Sequence, residues 1–206
     1  MKTDTLPLVA ILRGLTPDSA EAVGAALFEA GFRLVEVPLN RPGALACIET
    51  LARTAPADAT IGGGTMLSVA HVDAVHAAGG RMMVAPNTDP AVIARAAQLG
   101  MWCAPGIGTA SEAFAALRAG ANALKLFPAE VWGPKGLKAL GSVLPPGTPL
   151  WPVGGVTPDS MAEWVAAGAT GFGIGGQLYK AGAGATEVGA QARNFIAAWA
   201  RTVPSR

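Results

Sequence analysis

Short apolar runs alternate along the whole chain with longer, Ala-rich stretches that carry polar residues at helical spacing. The runs cover 8–12, 34–37, 60–62, 82–85, 101–104, 123–126, 150–153 and 171–174, and their length and flanking Gly or Pro residues predict strands. Amphipathic segments such as 18–29, 69–78, 91–99 and 111–119 predict helices between them. Four helical stretches share one ending: Glu29-Ala30-Gly31, Ala77-Ala78-Gly79, Arg118-Ala119-Gly120 and Ala166-Ala167-Gly168. Glycine there suits a left-handed cap that turns the chain straight into the next strand. Eight strand–helix units of roughly 20–27 residues describe an α/β chain of βαβ repeats, and eight such units close into a (β/α)8 TIM barrel. An open doubly wound sheet is the alternative, but it needs a topological switch that nothing in the spacing marks. The last helix, about 186–202, is expected to close the outer ring. No linker, charge block or low-complexity segment divides the sequence, so residues 1–206 are expected to form one domain.

Charge narrows the partners. Lys and Arg number 15 against 14 Asp and Glu, which excludes the electrostatic footprint of a nucleic-acid binder. The chain is 51% hydrophobic and 14% charged, a balance that suggests apolar surface covered by a partner subunit. Cys47 and Cys103 form no metal or redox spacing and read as buried thiols in a reducing compartment. His71 and His76 are too poorly placed on one helix face to share a metal. No basic leader precedes an apolar run, and Gly or charge interrupts every run before membrane-spanning length. A cytoplasmic protein without membrane or nucleic-acid partners is expected.

In a barrel of this kind the chemistry sits at the C-terminal strand ends. Those ends read Arg13-Gly14, Glu36 with Asn40, Gly62-Gly63-Gly64-Thr65, Pro86-Asn87, Pro105-Gly106, Lys125, Gly154-Gly155 and Gly175-Gly176. Turns account for the glycines, the prolines and Asn87, but not for Arg13, Glu36 and Lys125 in or beside apolar strands. Lys125 lies within Ala123-Leu124-Lys125-Leu126-Phe127-Pro128-Ala129-Glu130. A buried ammonium loses its proton more easily, and a free amine attacks a carbonyl to form a Schiff base. The alternative is a lysine that ends its strand and snorkels to solvent.

Glu36 is a carboxylate between Val35 and Val37. Its strand is the second and that of Lys125 the sixth, and even-numbered strands fill the same layers, so the two can face each other across the barrel mouth. Such a pair supplies the proton transfers of carbinolamine formation, dehydration and C–C cleavage, or else forms a buried ion pair. Arg13 offers a planar fork to a carboxylate, with the Thr65 hydroxyl and amide beside it, or is an ordinary surface charge. The two late glycine pairs allow backbone amides to approach an anion, and Thr157-Pro158-Asp159 reads as a helix start that adds its positive end. A phosphate site after strands seven and eight is a recurrent use of this barrel, although glycine pairs also make plain turns.

Nearly end to end, the chain resembles the class I aldolases that act on 2-keto-3-deoxy-6-phospho sugar acids. The matching stretches are Ile11-Leu12-Arg13-Gly14, Val35-Glu36-Val37-Pro38-Leu39-Asn40, Gly62 to Thr65, Ala85-Pro86-Asn87, Pro105-Gly106, Lys125-Leu126-Phe127-Pro128, Gly154-Gly155 and Gly175-Gly176. The resemblance implies a pyruvate Schiff base on Lys125, acid/base work by Glu36, no metal or other cofactor, and a homotrimer. It implies substrate contacts at Arg13, Thr65, Asn40, Pro86, Phe127, Val153, Gly154, Gly155, Gly175 and Gly176.

Two branches of that family differ in substrate configuration at C4. The gluconate type tends to carry Thr–Leu–Arg after the Glu–Val pair and a threonine before the glycine pair of strand seven. Pro38-Leu39-Asn40 and Val153 stand there instead and resemble the galactonate type. A serine frequent in the family at the second glycine of strand eight is Gly176 here, which removes a hydroxyl contact to phosphate. The implied reaction is reversible cleavage of the galactonate-type phospho acid, in galactonate degradation, to pyruvate and D-glyceraldehyde 3-phosphate. Its rivals are the gluconate-type aldolase and a non-catalytic phosphosugar-binding barrel. A phosphosugar epimerase or isomerase would need a second acid/base residue or a metal that the strand ends do not offer.

Overall fold

The computed structural model describes residues 5–202, so the first four and last four residues of the expected domain lie outside the described residues. The first half of the chain runs β1 (Leu8–Ile11), α1 (Pro17–Ala30), β2 (Leu34–Pro38), α2 (Ala44–Thr54), β3 (Thr60–Gly64), α3 (Val69–Ala77), β4 (Met82–Val84) and α4 (Pro90–Gln98). It continues with β5 (Trp102–Ala104), β6 (Gly106–Ile107), α5 (Ala110–Ala119), β7 (Leu124–Leu126) and α6 (Ala129–Gly141). It ends with β8 (Leu150–Pro152), α7 (Met161–Ala166), β9 (Phe172–Ile174) and α8 (Ala185–Thr202). Each predicted strand is present. A ninth appears because Pro105, which has no N–H for a ladder, separates β5 from β6.

The pairings are all parallel, as βαβ repeats require. They build a six-stranded sheet, β5-β4-β3-β2-β1-β9, and a three-stranded sheet, β6-β7-β8. The return of β9 to the side of β1 curls the larger sheet into a half-barrel. One seam between the sheets is Pro105; the other is a single parallel bridge between Val153 and Gly173. The expected ring of eight paired strands is therefore not continuous in its hydrogen bonds. Pro105 and Pro152, which cannot donate, sit at the two seams.

The helices end where their caps dictate. Gly31 and Gly120 adopt left-handed φ values of 111° and 106° and close α1 and α5. Side chains of Ser68, Asp89 and Thr109 accept first-turn N–H groups of α3, α4 and α5, caps worth about 1 kcal/mol each. α8 packs against α1 and α7 on the outside of the sheet. Among the described residues no helix is long and apolar enough to cross a membrane.

Strand alternation splits the interior into two cores. Val35, Val37, Leu124 and Leu126 face the helices, in one cluster with Ile48, Leu51 and both free cysteines. Val9, Ile11, Leu34, Met82, Val84, Ala123, Trp151 and Val153 form the lumen. The Trp102 and Trp151 rings, 4.9 Å apart at their centroids, pack together within it. A fully buried aliphatic side chain contributes about 1.5–3 kcal/mol, and this lumen is what holds two ionisable groups away from water.

Candidate active site

The two-residue period that turns Leu34 and Ala123 inward does the same for Glu36 and Lys125. Glu36 is 2% exposed and Lys125 7%, and among the described residues they are the charged side chains that are buried. Register sets Glu36 between Ile11 of β1 and Gly62 of β3, and Lys125 between Gly106 of β6 and Trp151 of β8. The Lys125 ammonium position lies 4.8 Å from the centre of the Phe127 ring, within cation–π range. Both side chains border a small cavity of about 10 Å³, with Ile11, Val84, Trp151 and Val153 in its wall. That is about the space one water needs. Glu36 Oε2 is buried and has no hydrogen-bond partner among the described residues.

Desolvation dominates the electrostatics of the pair. Burial raises the Glu36 carboxyl above its ordinary value, against the opposing pull of Lys125 and Arg13. Burial lowers the Lys125 amine; Glu36 opposes this and Arg13 reinforces it. Both groups are pushed toward their neutral forms, because the cost of taking two charges out of water exceeds their attraction. The thiols offer no competing nucleophile: burial raises Cys47, and Cys103 to about 11.

Above the pair opens a cavity of about 800 Å³, with Lys125, Ile11, Val153 and Gly173 shared between its floor and the smaller space. Of the residues singled out in the sequence, Arg13, Phe127, Val153, Gly154, Gly155, Gly175 and Gly176 line it with Lys125. Asn40, Thr65 and Pro86 are not part of its wall. Asn40 is exposed in the turn after β2, and Pro86 is half-buried after β4. Thr65 follows β3 with φ 55°, a left-handed conformation costly for a β-branched residue.

Two glycine stretches have structural reasons that the sequence did not reveal. The Glu36 carboxylate occupies the place of a Cβ on Gly64, and the Glu130 carboxylate crowds the places of the Cβ atoms on Gly154 and Gly155. An acid beside those two amides disfavours an anion held by them alone. The anticipated helix start at Thr157 is a turn, closed by Ser160 Oγ accepting from Thr157 N at 3.0 Å and Thr157 Oγ1 accepting from Ser160 N at 3.2 Å. α7 begins only at Met161 and is 6 residues long, so its dipole adds little. Arg41, Gln177, Tyr179 and Lys180 also line the cavity and escaped sequence reasoning, since polar loop residues resemble ordinary surface.

A buried amine of lowered basicity beside a buried carboxyl of raised pKa is suited to one kind of chemistry. It condenses with a ketone, and the protonated imine then draws electrons from the neighbouring carbon–carbon bond. Enzymes that work this way are the class I aldolases. The chain belongs to the aldolase family described as KDPG and KHG aldolase, whose sequence model matches residues 1–190. It is 48% identical over 193 residues to a probable 2-dehydro-3-deoxy-6-phosphogalactonate aldolase of Rhizobium meliloti (strain 1021), covering 94% of this chain and 91% of that one. It is 46% identical over 198 residues to the 2-dehydro-3-deoxy-6-phosphogalactonate aldolase of Escherichia coli (strain K12), covering 96% and 97%. A solved structure described as native KDPGal superposes with a TM-score of 0.96 at 44% identity, over 100% of this chain and 99% of the other.

Proposed function

We propose that this chain reversibly cleaves 2-dehydro-3-deoxy-6-phosphogalactonate to pyruvate and D-glyceraldehyde 3-phosphate. The observation that carries the reading is Lys125, buried beside Glu36 and open to the larger cavity. Its free amine adds to the C2 ketone, and loss of water from the carbinolamine leaves a protonated imine. Glu36, through one water of the size the small cavity admits, removes the C4 hydroxyl proton. The C3–C4 bond then breaks, its electron pair moves toward the imine nitrogen, and glyceraldehyde 3-phosphate departs as the aldehyde. Glu36 returns a proton to the enamine carbon, and water releases pyruvate and restores the amine.

Arg13, at the cavity wall and electrostatically coupled to both catalytic groups, holds the pyruvyl carboxylate. Thr65, the residue that follows Gly64 and the end of β3, contacts the same carboxylate. Asn40 and Pro86 are assigned no step. Gly154, Gly155, Gly175 and Gly176 border the phosphate end, Gly175 and Gly176 more directly because no carboxylate crowds them. The galactonate configuration is favoured by Val153 in the wall of both cavities, by Pro38 in β2, and by 46–48% identity to relatives that bear that name.

In this reading the eight strand–helix units work as one (β/α)8 barrel with two seams, and residues 1–206 as one domain, in the cytoplasm. A homotrimer would cover apolar side chains such as Leu67, Val131 and Trp132, which are exposed in the single chain. Side-by-side cleavage of the two C4 epimers tests the assignment. Faster cleavage of the gluconate epimer would move the chain to the other branch, and no cleavage of either would leave a binding module.

A further inference from the structure

The charged side chains that line the large cavity are all basic, while the Glu130 carboxylate stands against Gly154 and Gly155 in its wall. The basic ones besides Lys125 are Arg13, Arg41 and Lys180, although the chain as a whole has 15 basic and 14 acidic residues. Elsewhere on the surface Arg33 and Arg95 are engaged by Asp58 and Asp73 at 2.8 and 2.7 Å. Among the described residues, none of the three cations at the mouth has an ion-pair partner.

Topology brings the three together. β9, β1 and β2 are neighbours in the six-stranded sheet, and Lys180, Arg13 and Arg41 lie on the segments that leave their C-terminal ends. Those segments touch: the backbone at Gly14 abuts Ala181, and that at Gly43 abuts the Pro17 ring. Lys180 follows two buried residues, Leu178 and Tyr179, whose N–H groups both donate to the Gly175 carbonyl, at 2.8 and 3.0 Å. The cation-bearing rim is thus built, while Phe127, Val153 and Val156 add apolar wall to the same cavity. Neighbouring cations without an ion-pair partner raise the local potential, and an anion between them relieves it.

We propose that Arg41 and Lys180 are the cationic partners of the substrate phosphate and set the enzyme's preference for a phosphorylated acid. The inference rests on the aldolase reading above. Arg13 lies two residues past the end of β1 and its charge acts on both Lys125 and Glu36, whereas Arg41 and Lys180 are exposed on the loops three and six residues past the ends of β2 and β9. Arg41 and Lys180 therefore stand at the outer end of the cavity. The phosphate of an acid joined to Lys125 through C2 lies at that end. Gly176 opens into the same space, with nothing within 4 Å of its Cβ position. Two charged side chains there do the work of a hydroxyl that Gly176 lacks. Their charge also draws the anionic substrate in from solution, an attraction that salt screens.

Arg41→Gln, Lys180→Gln and the double variant are to be compared with the unmodified enzyme on the phosphorylated acid and on its dephosphorylated counterpart. Pyruvate-dependent borohydride labelling of Lys125 checks that each variant is folded. The quantity read is the ratio of kcat/KM for the two substrates. Each single change is expected to lower it about three- to tenfold and the pair about thirtyfold, through KM more than kcat. Arg41→Lys should restore most of the ratio, and the salt dependence of kcat/KM should flatten in the double variant. A ratio untouched by both substitutions, or a loss that falls equally on both substrates, overturns the proposal. Failure of the aldolase reading looks different: the unmodified chain then cleaves neither substrate.

Discussion

The carboxylate of Glu36 fills the space that a Cβ on Gly64 would take. Register aligns Glu36 with Gly62 and Pro38 with Gly64, so the side chain leans along β2 toward the C-terminal end of β3. Gly64, which the sequence accounts for as part of a turn, is a seat for the acid. Seated there, Oε2 has no hydrogen-bond partner among the described residues, and the Glu36 side chain borders the small cavity together with Lys125.

Gly64→Ala should consequently displace Glu36. Gly64 does not have a left-handed φ, so the backbone tolerates alanine and the collision is what the variant isolates. Overpacking of this kind costs about 1–3 kcal/mol, to be read by chemical denaturation, with a parallel fall in kcat. Unchanged turnover would mean that Glu36 does not need this seat.

Borohydride added with pyruvate should label Lys125 and leave every other lysine untouched. Only an imine is fixed by hydride under these conditions, and only Lys125 is a buried lysine among the described residues. A labelled peptide that excludes Lys125 would remove the basis of the mechanism.

Imine formation should follow the lowered basicity of that amine. Burial holds Lys125 below the 10.5 of an ordinary lysine. The rate of pyruvate trapping should therefore rise with pH and level off before that value is reached. A rise that continues to pH 10.5 would show an amine with unperturbed basicity.

Glu36→Gln separates chemistry from stability. Removing the proton carrier while keeping its shape should reduce kcat about 10²–10⁴-fold, with some pyruvate labelling of Lys125 retained. The folded carboxyl is raised above its unfolded value of 4.5, so its contribution to stability is complete below that value and is lost as pH rises through the folded one. The Tm of the glutamine variant, measured against the unmodified chain, should therefore improve as pH increases from 4.5. A constant Tm difference would place Glu36 in a solvated environment.

Val153→Thr should shift preference toward the gluconate-type epimer. Val153 is 7% exposed and belongs to the wall of both cavities, directly before Gly154. The swap keeps volume and adds a donor and an acceptor near the middle of a substrate tethered at both ends. One neutral hydrogen bond is worth about 0.5–1.5 kcal/mol, so the ratio of kcat/KM for the two epimers should move several-fold. No movement would make Val153 simple lumen packing.

Lys125 and Glu36 were legible in the chain itself. Each interrupts an apolar run, and a strand's two-residue period leaves such a charge one of two faces, both of them buried here. The order of strands and helices was legible for the same reason, because backbone geometry writes its periods into local sequence. The seams at Pro105 and at the Val153–Gly173 bridge were not, since they depend on how two sheet edges meet. Nor was the Glu130 carboxylate against Gly154, or the arc of Arg13, Arg41 and Lys180 around one rim. Those residues belong to loops far apart in the chain, and a polar loop residue satisfies the rules of a surface wherever it lies. Only the closing of β9 onto β1 and the packing of loop upon loop decide which of them share a cavity.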